Sequence, residues 1–434
     1  MKNGKFHTFV LFWVTQSISQ MGSAMSGYAL TIWAYRQTHS AMSVSLMLFC
    51  YYVPYVAVSL FSGAVVDRHG KKGIMLLADS AAALCTLAAF FLWRSGGMKL
   101  WHIYLINGVI GMMNAFQAPA ESVTIGLLVP SDRQAKVSGM DSFAENLITV
   151  VSPVFAVAIY ETAGLGAVFL VDFLSFLIAS AVLLLRIGIP EPEYGSNPTH
   201  APLAGVGEGF HFLRQHAALL FLILTMAMMN FFSRLTYENI LSPMLLARSG
   251  ENAVVLSVVS MVLGIGGVAG GLAVTLDRKA RNPVKMVYWS AIVSFLCGDL
   301  LMGLGHSVFV WCIAGIAASV PIPFVMAGQR VILYHDVPAG VQGRVFAVRN
   351  AIQFSTIPAG ILLGGFLADR VFEPHMRSDT PAVHFLQRMV GTGDGSGMAV
   401  MFLCTGVLGS LFCVLAYRKL KRLERKNLLD RRQS

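Results

Sequence analysis

The sequence predicts an all-α integral membrane protein of twelve transmembrane helices arranged as two pseudo-symmetric halves of six. Composition, the length of the apolar runs and an internal repeat predict it. Of 434 residues, 56% are hydrophobic and 12% charged, and the mean hydropathy is +0.66. That balance is too apolar for an ordinary globular domain. In hydrocarbon the backbone must satisfy its own polar groups, so each crossing is a helix or a strand of a closed barrel. The runs last about 20 residues without period-two alternation, which suits helices and argues against an outer-membrane barrel.

In chain order, apolar runs place spans near 9–34, 42–66, 73–93, 100–128, 137–160 and 165–186. A second set follows near 216–247, 253–276, 284–304, 308–334, 343–369 and 396–417. The first run begins near Phe9, after Lys2 and Lys5, and is too long for a signal-peptide core, so it reads as a retained span. Between the two sets, Gly188 to about Gly209 carries Pro190, Pro192, Pro198 and Pro202 and cannot be one membrane helix. The expected organisation is an N-terminal half over 1–187, a cytoplasmic linker over 188–215, a C-terminal half over 216–417 and a basic tail over 418–434.

The net charge of +10 does not point to nucleic acid, because the Lys and Arg residues sit in short loops and the tail. With both termini on one side, 22 of the 32 fall there and 7 on the other. Both termini are therefore expected in the cytoplasm, in a plasma (inner) membrane. The eight basic residues from Arg418 onward suit an anchor to anionic headgroups. Cys50, Cys85, Cys297, Cys312, Cys404 and Cys413 lie within or beside apolar spans with no CxxC pair, which fits core thiols rather than a disulfide or metal framework.

The halves also resemble each other. Val129-Pro130-(x)3-Gln134-(x)-Lys136-Val137 returns as Val337-Pro338-(x)3-Gln342-(x)-Arg344-Val345, an offset of 208 residues. The same offset pairs Gly63 with Gly271 and Glu121 with Gln329. A repeat of this length in a helical membrane protein points to a transporter of two parallel six-helix halves, with its substrate site between them.

The turn between the second and third spans, Gly63-(x)3-Asp67-Arg68-(x)-Gly70-Lys71-Lys72, resembles the loop 2–3 signature of the major facilitator superfamily. Gly271-(x)5-Asp277-Arg278-Lys279-(x)-Arg281 resembles its decayed second copy. Ala78-Asp79, Val171-Asp172-Phe173-Leu174-Ser175-Phe176, Glu208-Gly209-Phe210-(x)2-Leu213 and Val371-Phe372-Glu373-Pro374 are similar to the macrolide-efflux and siderophore-export branch. The resemblance implies the major facilitator fold and export of small molecules. Two departures bear on proton antiport: the antiporter glycine stretch reads Ser152-Pro153-Val154-Phe155-Ala156, and Leu100 to Val129 contains no Lys or Arg.

The resemblance also implies a closure latch, in which Asp67 caps a helix of the other half and meets Arg344 or Arg349. The plainer alternative is a charged turn that only sets topology. The 208 offset pairs Asp141 with Arg349, so a second, opposite clasp is expected between Asp141 and the basic loop at Arg278 and Arg281. Gln16, Gln20 and Ser23 share a helical face with Gly27, and Asn230, Arg234, Tyr237 and Glu238 form a matching polar stretch in span seven. Either set lines a central cavity or binds neighbouring helices. Arg234 and Glu238, four apart, can pair, and intramembrane charge marks a functional candidate. Glu121, Glu145 and Glu238 are the proton-coupling candidates; Asp79 and Asp172 lean towards a structural role.

The aromatic and methionine-rich stretches around Tyr51, Tyr55, Met112, Met113, Met228 and Phe231 are packing or, with polar anchors, the wall of a site for large amphiphiles. The loop over 371–397 is long, and 381–390 within it has the pattern of an amphipathic helix on the outer surface. The expected function is secondary export of drug-like or siderophore-like amphiphiles, with a small molecule and protons as partners, a lipid bilayer as solvent, a monomeric state and no cofactor, metal or catalytic residue. A lipid or lysolipid flippase on the same fold is the alternative. No GxxxxGK[ST] loop is present, so ATP is not the direct energy source. No HExxH or Ser/His/Asp grouping supports the remote alternative of an intramembrane enzyme, which stands beside a non-transporting receptor.

Overall fold

The computed structural model describes residues 2–129, 134–189, 202–277, 282–338 and 341–433. Among the described residues every regular element is helical. Among the described residues nine helical segments are long and apolar enough to cross a bilayer, and one of them, Gly139–Arg186, has the length of two crossings. With α1 (Lys2–Thr38) and α4 (Leu100–Leu128), the set is consistent with twelve spans.

The chain divides into two compact units, Met1–His39 with Leu46–Asn197, and Ser40–Ser45 with Pro198–Ser434. The first unit holds α1, most of α2 (Ala41–Arg68), α3 (Lys71–Arg94), α4 and α5 (Gln134–Arg186). Within α5 the backbone turns at Gly164, where φ is 79°. That left-handed conformation costs a residue with a Cβ about 1 kcal/mol or more, and Gly adopts it freely. Two apolar clusters fill this unit. Met25, Ala29, Leu30, Ile103 and Phe169 centre one, and Phe9, Phe12, Met75, Leu128 and Leu183 the other.

The second unit continues with α6 (Pro202–Gln215), α7 (Ala217–Thr236), α8 (Leu241–Arg248) and α9 (Ala253–Leu276). Next come α10 (Pro283–Val293), a π-helical turn over Ser294–Asp299, α11 (Leu300–Leu304), α12 (Val308–Ser319) and α13 (Ile322–Asp336). After α14 (Gln342–Leu367) a second π-helical turn spans Ala368–Phe372, before α15 (Glu373–Met376), α16 (Pro381–Val390) and α17 (Ser396–Gln433). Its core packs Leu222, Met226, Tyr288, Leu333 and Val345. Several expected single spans are therefore built from pieces: span seven is α7 with α8, span ten is α12 with α13. Asn252, Asn282, Ser307 and Thr380 accept hydrogen bonds from first-turn N–H groups of α9, α10, α12 and α16, satisfying donors that have no helical partner.

The stretch expected as an open linker contains α6, an amphipathic helix whose Gly209 packs against the backbone of Arg344 at the start of α14. Outward-facing side chains remain apolar: Leu77 is 67% exposed, Leu84 65% and Leu185 82%. Water would penalise that surface, and lipid does not.

Candidate functional site

Two cavities lie within the first unit. One, of about 490 Å³, is walled by α1, α2, α3, α4 and the second half of α5. The other, of about 500 Å³, lies between α1, α4 and the first half of α5. Both are lined by Gln20 and Glu121, so the pair stands at their boundary. Among the described residues their walls carry five carboxylates, those of Asp79, Glu121, Asp141, Glu145 and Asp172, and no Lys, Arg or His.

Each acid is held differently. Asp172 is buried and accepts hydrogen bonds from Ser23 on α1 and Thr86 on α3, both at 3.0 Å. This ties three helices at one carboxylate. Close approach of α1 at that point needs Gly22, because a Cβ there would strike Ser175 and the Asp172 backbone. Asp79 is also buried and accepts from Gln117 at 2.6 Å. Its second oxygen, and both amide atoms of the 1%-exposed Gln16, make no hydrogen bond among the described residues. Buried polar atoms left this way carry a desolvation cost that a bound polar group would offset. Glu121 takes longer contacts, 3.4 Å from Gln20 Nε2 to each carboxylate oxygen.

The sequence candidates are thus partly brought together. Gln16, Gln20, Ser23 and Glu121 meet at the first cavity, and Glu121, Asp141 and Glu145 at the second. Gln117 serves Asp79 rather than Glu121, and Asn146 donates within its own helix to the Ser142 carbonyl at 2.6 Å. Asp79 and Asp172, read from sequence as structural, both line the first cavity. Asn107 and Asn114, not singled out from sequence, add polar groups to its wall, with Asn114 donating at 3.0 Å to the hydroxyl of Tyr51, a member of the expected aromatic stretch.

In the second unit, Arg234 and Glu238 form an ion pair one turn apart, as the spacing predicts. Asn230 lies half-buried a turn earlier on α7. Tyr237 packs edge-on to Phe402, with ring centroids 5.2 Å apart. Nearby, Asp299 at the end of the first π-helical turn is 1% exposed and accepts from Thr405 at 2.7 Å. Its partner Thr405 lies 106 residues away in the sequence, on α17.

At the loop 2–3 signature, Gly63 and Arg68 end α2 and Gly70 precedes α3. Lys71 is buried, and Lys72 donates to the Leu184 and Ile187 carbonyls at 3.0 and 2.9 Å. That ammonium satisfies terminal acceptors of α5 and sits favourably at the negative end of its dipole. The Asp67 side chain and all of Arg278 and Arg281 lie outside the described residues, so neither expected clasp is visible. Arg344 pairs with Glu208 of α6, and Arg349 donates to the adjacent Asn350 side chain, with its guanidinium 5.3 Å from the Phe346 ring centre.

Comparison with known proteins agrees with this architecture. The Major Facilitator Superfamily profile matches residues 12–374. Macrolide efflux protein A of Streptococcus pyogenes is 27% identical over 382 residues, covering 86% of this chain and 91% of that protein. The Staphyloferrin A transporter of Staphylococcus aureus is 23% identical, covering 84% and 88%. Among solved structures, a bacterial homologue of the human lysosomal transporter Spinster superposes with a TM-score of 0.63 at 15% identity, covering 99% of each chain. A bacterial homologue of the iron transporter ferroportin gives 0.64 at 13% identity, covering 95% and 99%. With its apolar multi-helix architecture and a profile match across most of its length, the chain belongs to the Major Facilitator Superfamily and is a multi-pass membrane transporter rather than an enzyme.

Proposed function

We propose that this transporter exports amphiphilic small molecules bearing a protonated amine, by alternating access of its two halves and in exchange for protons. The observation that carries the reading is the pair of adjoining cavities with five carboxylates and, among the described residues, no basic side chain. A site of that charge attracts a cation and disfavours an anionic ligand, through contacts that are strongest where water is scarce. The aromatic and aliphatic wall around Tyr51, Tyr55, Phe169, Phe173 and Phe176 suits the apolar body of such a molecule. Similarity to a macrolide efflux protein supports export.

In this reading Glu121 is the coupling acid, because its Gln20 contacts are long and it faces both cavities. A proton and a substrate ammonium satisfy the same carboxylate, so the arrival of one favours departure of the other. Glu145 and Asp141 extend the acidic path, while Gln16, Gln20 and Ser23 orient the ligand. In the other half Asn230, Arg234, Tyr237 and Glu238 are the matching polar candidates, with Arg234 and Glu238 paired. Asp67 with Arg344 or Arg349, and Asp141 with Arg278 and Arg281, close the cytoplasmic side. The protein works as a monomer in the inner membrane with both termini in the cytoplasm.

The test is accumulation of a substrate panel in cells with and without the protein, before and after the proton gradient is collapsed. Lower accumulation of an amine-bearing macrolide, restored by collapse, is expected, with no change for a catecholate siderophore. No effect on any compound would remove the export reading, and equal export of the catecholate would remove the preference for cations.

A further inference from the structure

Within the second unit, the short helix α16 is tied by hydrogen bonds to the ends of membrane-crossing segments. The apolar segments Ala217–Arg248, Pro283–Leu304 and Arg344–Met376 stop beside it, and Ser396–Leu423 starts just after it. Arg248 donates through Nη2 to the Val390 carbonyl, at the end of α16, at 2.5 Å, and through Nη1 to the Gly303 carbonyl at 3.0 Å. Its guanidinium also lies 5.8 Å from the Trp311 ring centre. Gln387 donates to the Met376 carbonyl at 3.0 Å. Glu373 accepts from the N–H groups of Gly395 and Met398 at 3.3 and 2.9 Å, which joins α15 to the first turn of α17. The ends of crossing helices mark the level where hydrocarbon gives way to headgroups and water. These bonds therefore hold α16 at that level rather than out in bulk solvent.

The same bonds fix the helix about its own axis, and at about 3.6 residues per turn its sequence divides into three faces. Val383 and Val390, 0% and 1% exposed, face the protein. His384 and Arg388, four apart and exposed, form a polar edge, where His384 meets Asp379 at 2.8 Å. Ala382, Phe385 and Met389 form the third face, with Phe385 63% and Met389 37% exposed. An amphipathic helix on a soluble surface needs cover for one apolar face. Here two apolar faces adjoin, and among the described residues protein covers one of them. The helix cannot turn to hide Phe385 without giving up the contacts of Gln387 and Val390.

We propose that α16 is an interfacial anchor of the C-terminal unit, with Phe385 and Met389 seated at the headgroup–acyl boundary of the phospholipid leaflet and Arg388 at the level of the phosphates. The occupant follows from the place of the helix. A face held beside the ends of crossing segments meets the lipid that surrounds those segments, and Phe366 and Val371 on the approach to α15 are exposed to the same surroundings. An apolar face next to a basic edge is the pattern of a helix lying in the interface. An aromatic ring is well accommodated there, and a long Arg side chain reaches from an apolar surface to a phosphate. The long connection over 371–397 thereby sets the depth of the two crossings it joins. This inference uses the membrane location alone and does not depend on the substrate or on proton coupling.

The test is a scan of solvent along α16. With the six native cysteines replaced, the full chain carries a spin label at Ala382→Cys, His384→Cys, Phe385→Cys, Arg388→Cys or Met389→Cys, one at a time, in phosphatidylcholine vesicles. All five positions are exposed, so the label displaces no packing, and an unchanged melting midpoint in detergent verifies the fold of each variant. Collision with oxygen, which concentrates in lipid, is compared with collision with a water-soluble nickel chelate. Oxygen should dominate at 382, 385 and 389 and the chelate at 384 and 388, so that the preference reverses with the helical period. Dominance of the chelate at all five positions would place α16 in water and overturn the proposal. Low access to both reagents at 385 and 389 would mean that another protein surface, a second copy or a different partner, covers the face, and would overturn it equally. As a second measure, Phe385→Asp should shift a label at Met389→Cys from oxygen towards the chelate. A label unmoved by that charge would show that the face is not inserted in lipid and would also overturn the anchor.

Discussion

Replacing Glu121 by Gln is the sharpest perturbation of the proposed site. The amide keeps the size of the side chain and can still accept from Gln20, which sits 3.4 Å from both carboxylate oxygens. What it removes is the charge at the boundary of the two cavities. A hydrogen bond from an ammonium to a carboxylate contributes about 1.5–3 kcal/mol more than no bond, and a neutral acceptor recovers part of it. Taking about 1.5–2.5 kcal/mol as the net loss gives a 10- to 70-fold rise in the half-saturating concentration of an amine-bearing macrolide. The assay is binding to purified protein in parallel with the N-acetylated, uncharged form of the same compound. The uncharged analogue should bind the parent weakly and lose little further on Glu121→Gln. An equal loss for both compounds would refute the reasoning, since it would mean that Glu121 contributes shape rather than charge.

Other variants test the scaffold behind that site. Asp172→Ala leaves Ser23 and Thr86 without their shared acceptor and opens space among α1, α3 and α5, so stability should fall by about 1–3 kcal/mol, with Asp172→Asn losing less; thermal melting in detergent reads it, and a midpoint equal to the parent's would contradict it. Gly164→Ala forces a Cβ into a left-handed conformation and should cost about 1–2 kcal/mol in the same measurement, whereas Gly73→Ala, at a helical position where a Cβ meets nothing, should be neutral or stabilising. Lys72→Met removes the cation from the Leu184 and Ile187 carbonyls at a partly exposed position, and should lower stability by about 0.3–1 kcal/mol; a larger fall would mean that Lys72 has a role beyond capping α5.

The positions of the spans were legible because lipid removes most alternatives: an apolar run of sufficient length has to be helical, and runs separated by charged turns leave little freedom in their boundaries. The turn at Gly164 lies in the expected gap between spans five and six. The helix α6 was also readable in principle, since Leu203, Val206, Phe210 and Leu213 recur at helical spacing, but the prolines on either side dominated the reading. The break near Tyr237 and the π-helical turns leave no mark on hydropathy, whereas the break at Pro321 coincides with Pro321 and Pro323, which interrupt a helix locally.

The candidate site was legible along single helices and obscure between them. Gln16, Gln20 and Ser23 form a visible stripe, and Arg234 with Glu238 a visible pair, because each spacing is set by one helix. Asp79 with Gln117, Asp172 with Thr86 and Asp299 with Thr405 join residues 38, 86 and 106 positions apart, and no local pattern encodes such a match. Asp369 shows the same limit most clearly: from sequence it ends span eleven, and only the fold brings it to the first turn of α2.

Proton-coupled export is tested most directly by transport with the purified protein in proteoliposomes under an imposed pH gradient. A labelled macrolide carrying a tertiary amine should move towards the acidic compartment, faster with a steeper gradient, and should stop when the gradient is dissipated or Glu121 is replaced by Gln. Movement at the same rate without a gradient, or with Glu121→Gln, would contradict proton-coupled export through the acidic cavities of the N-terminal half.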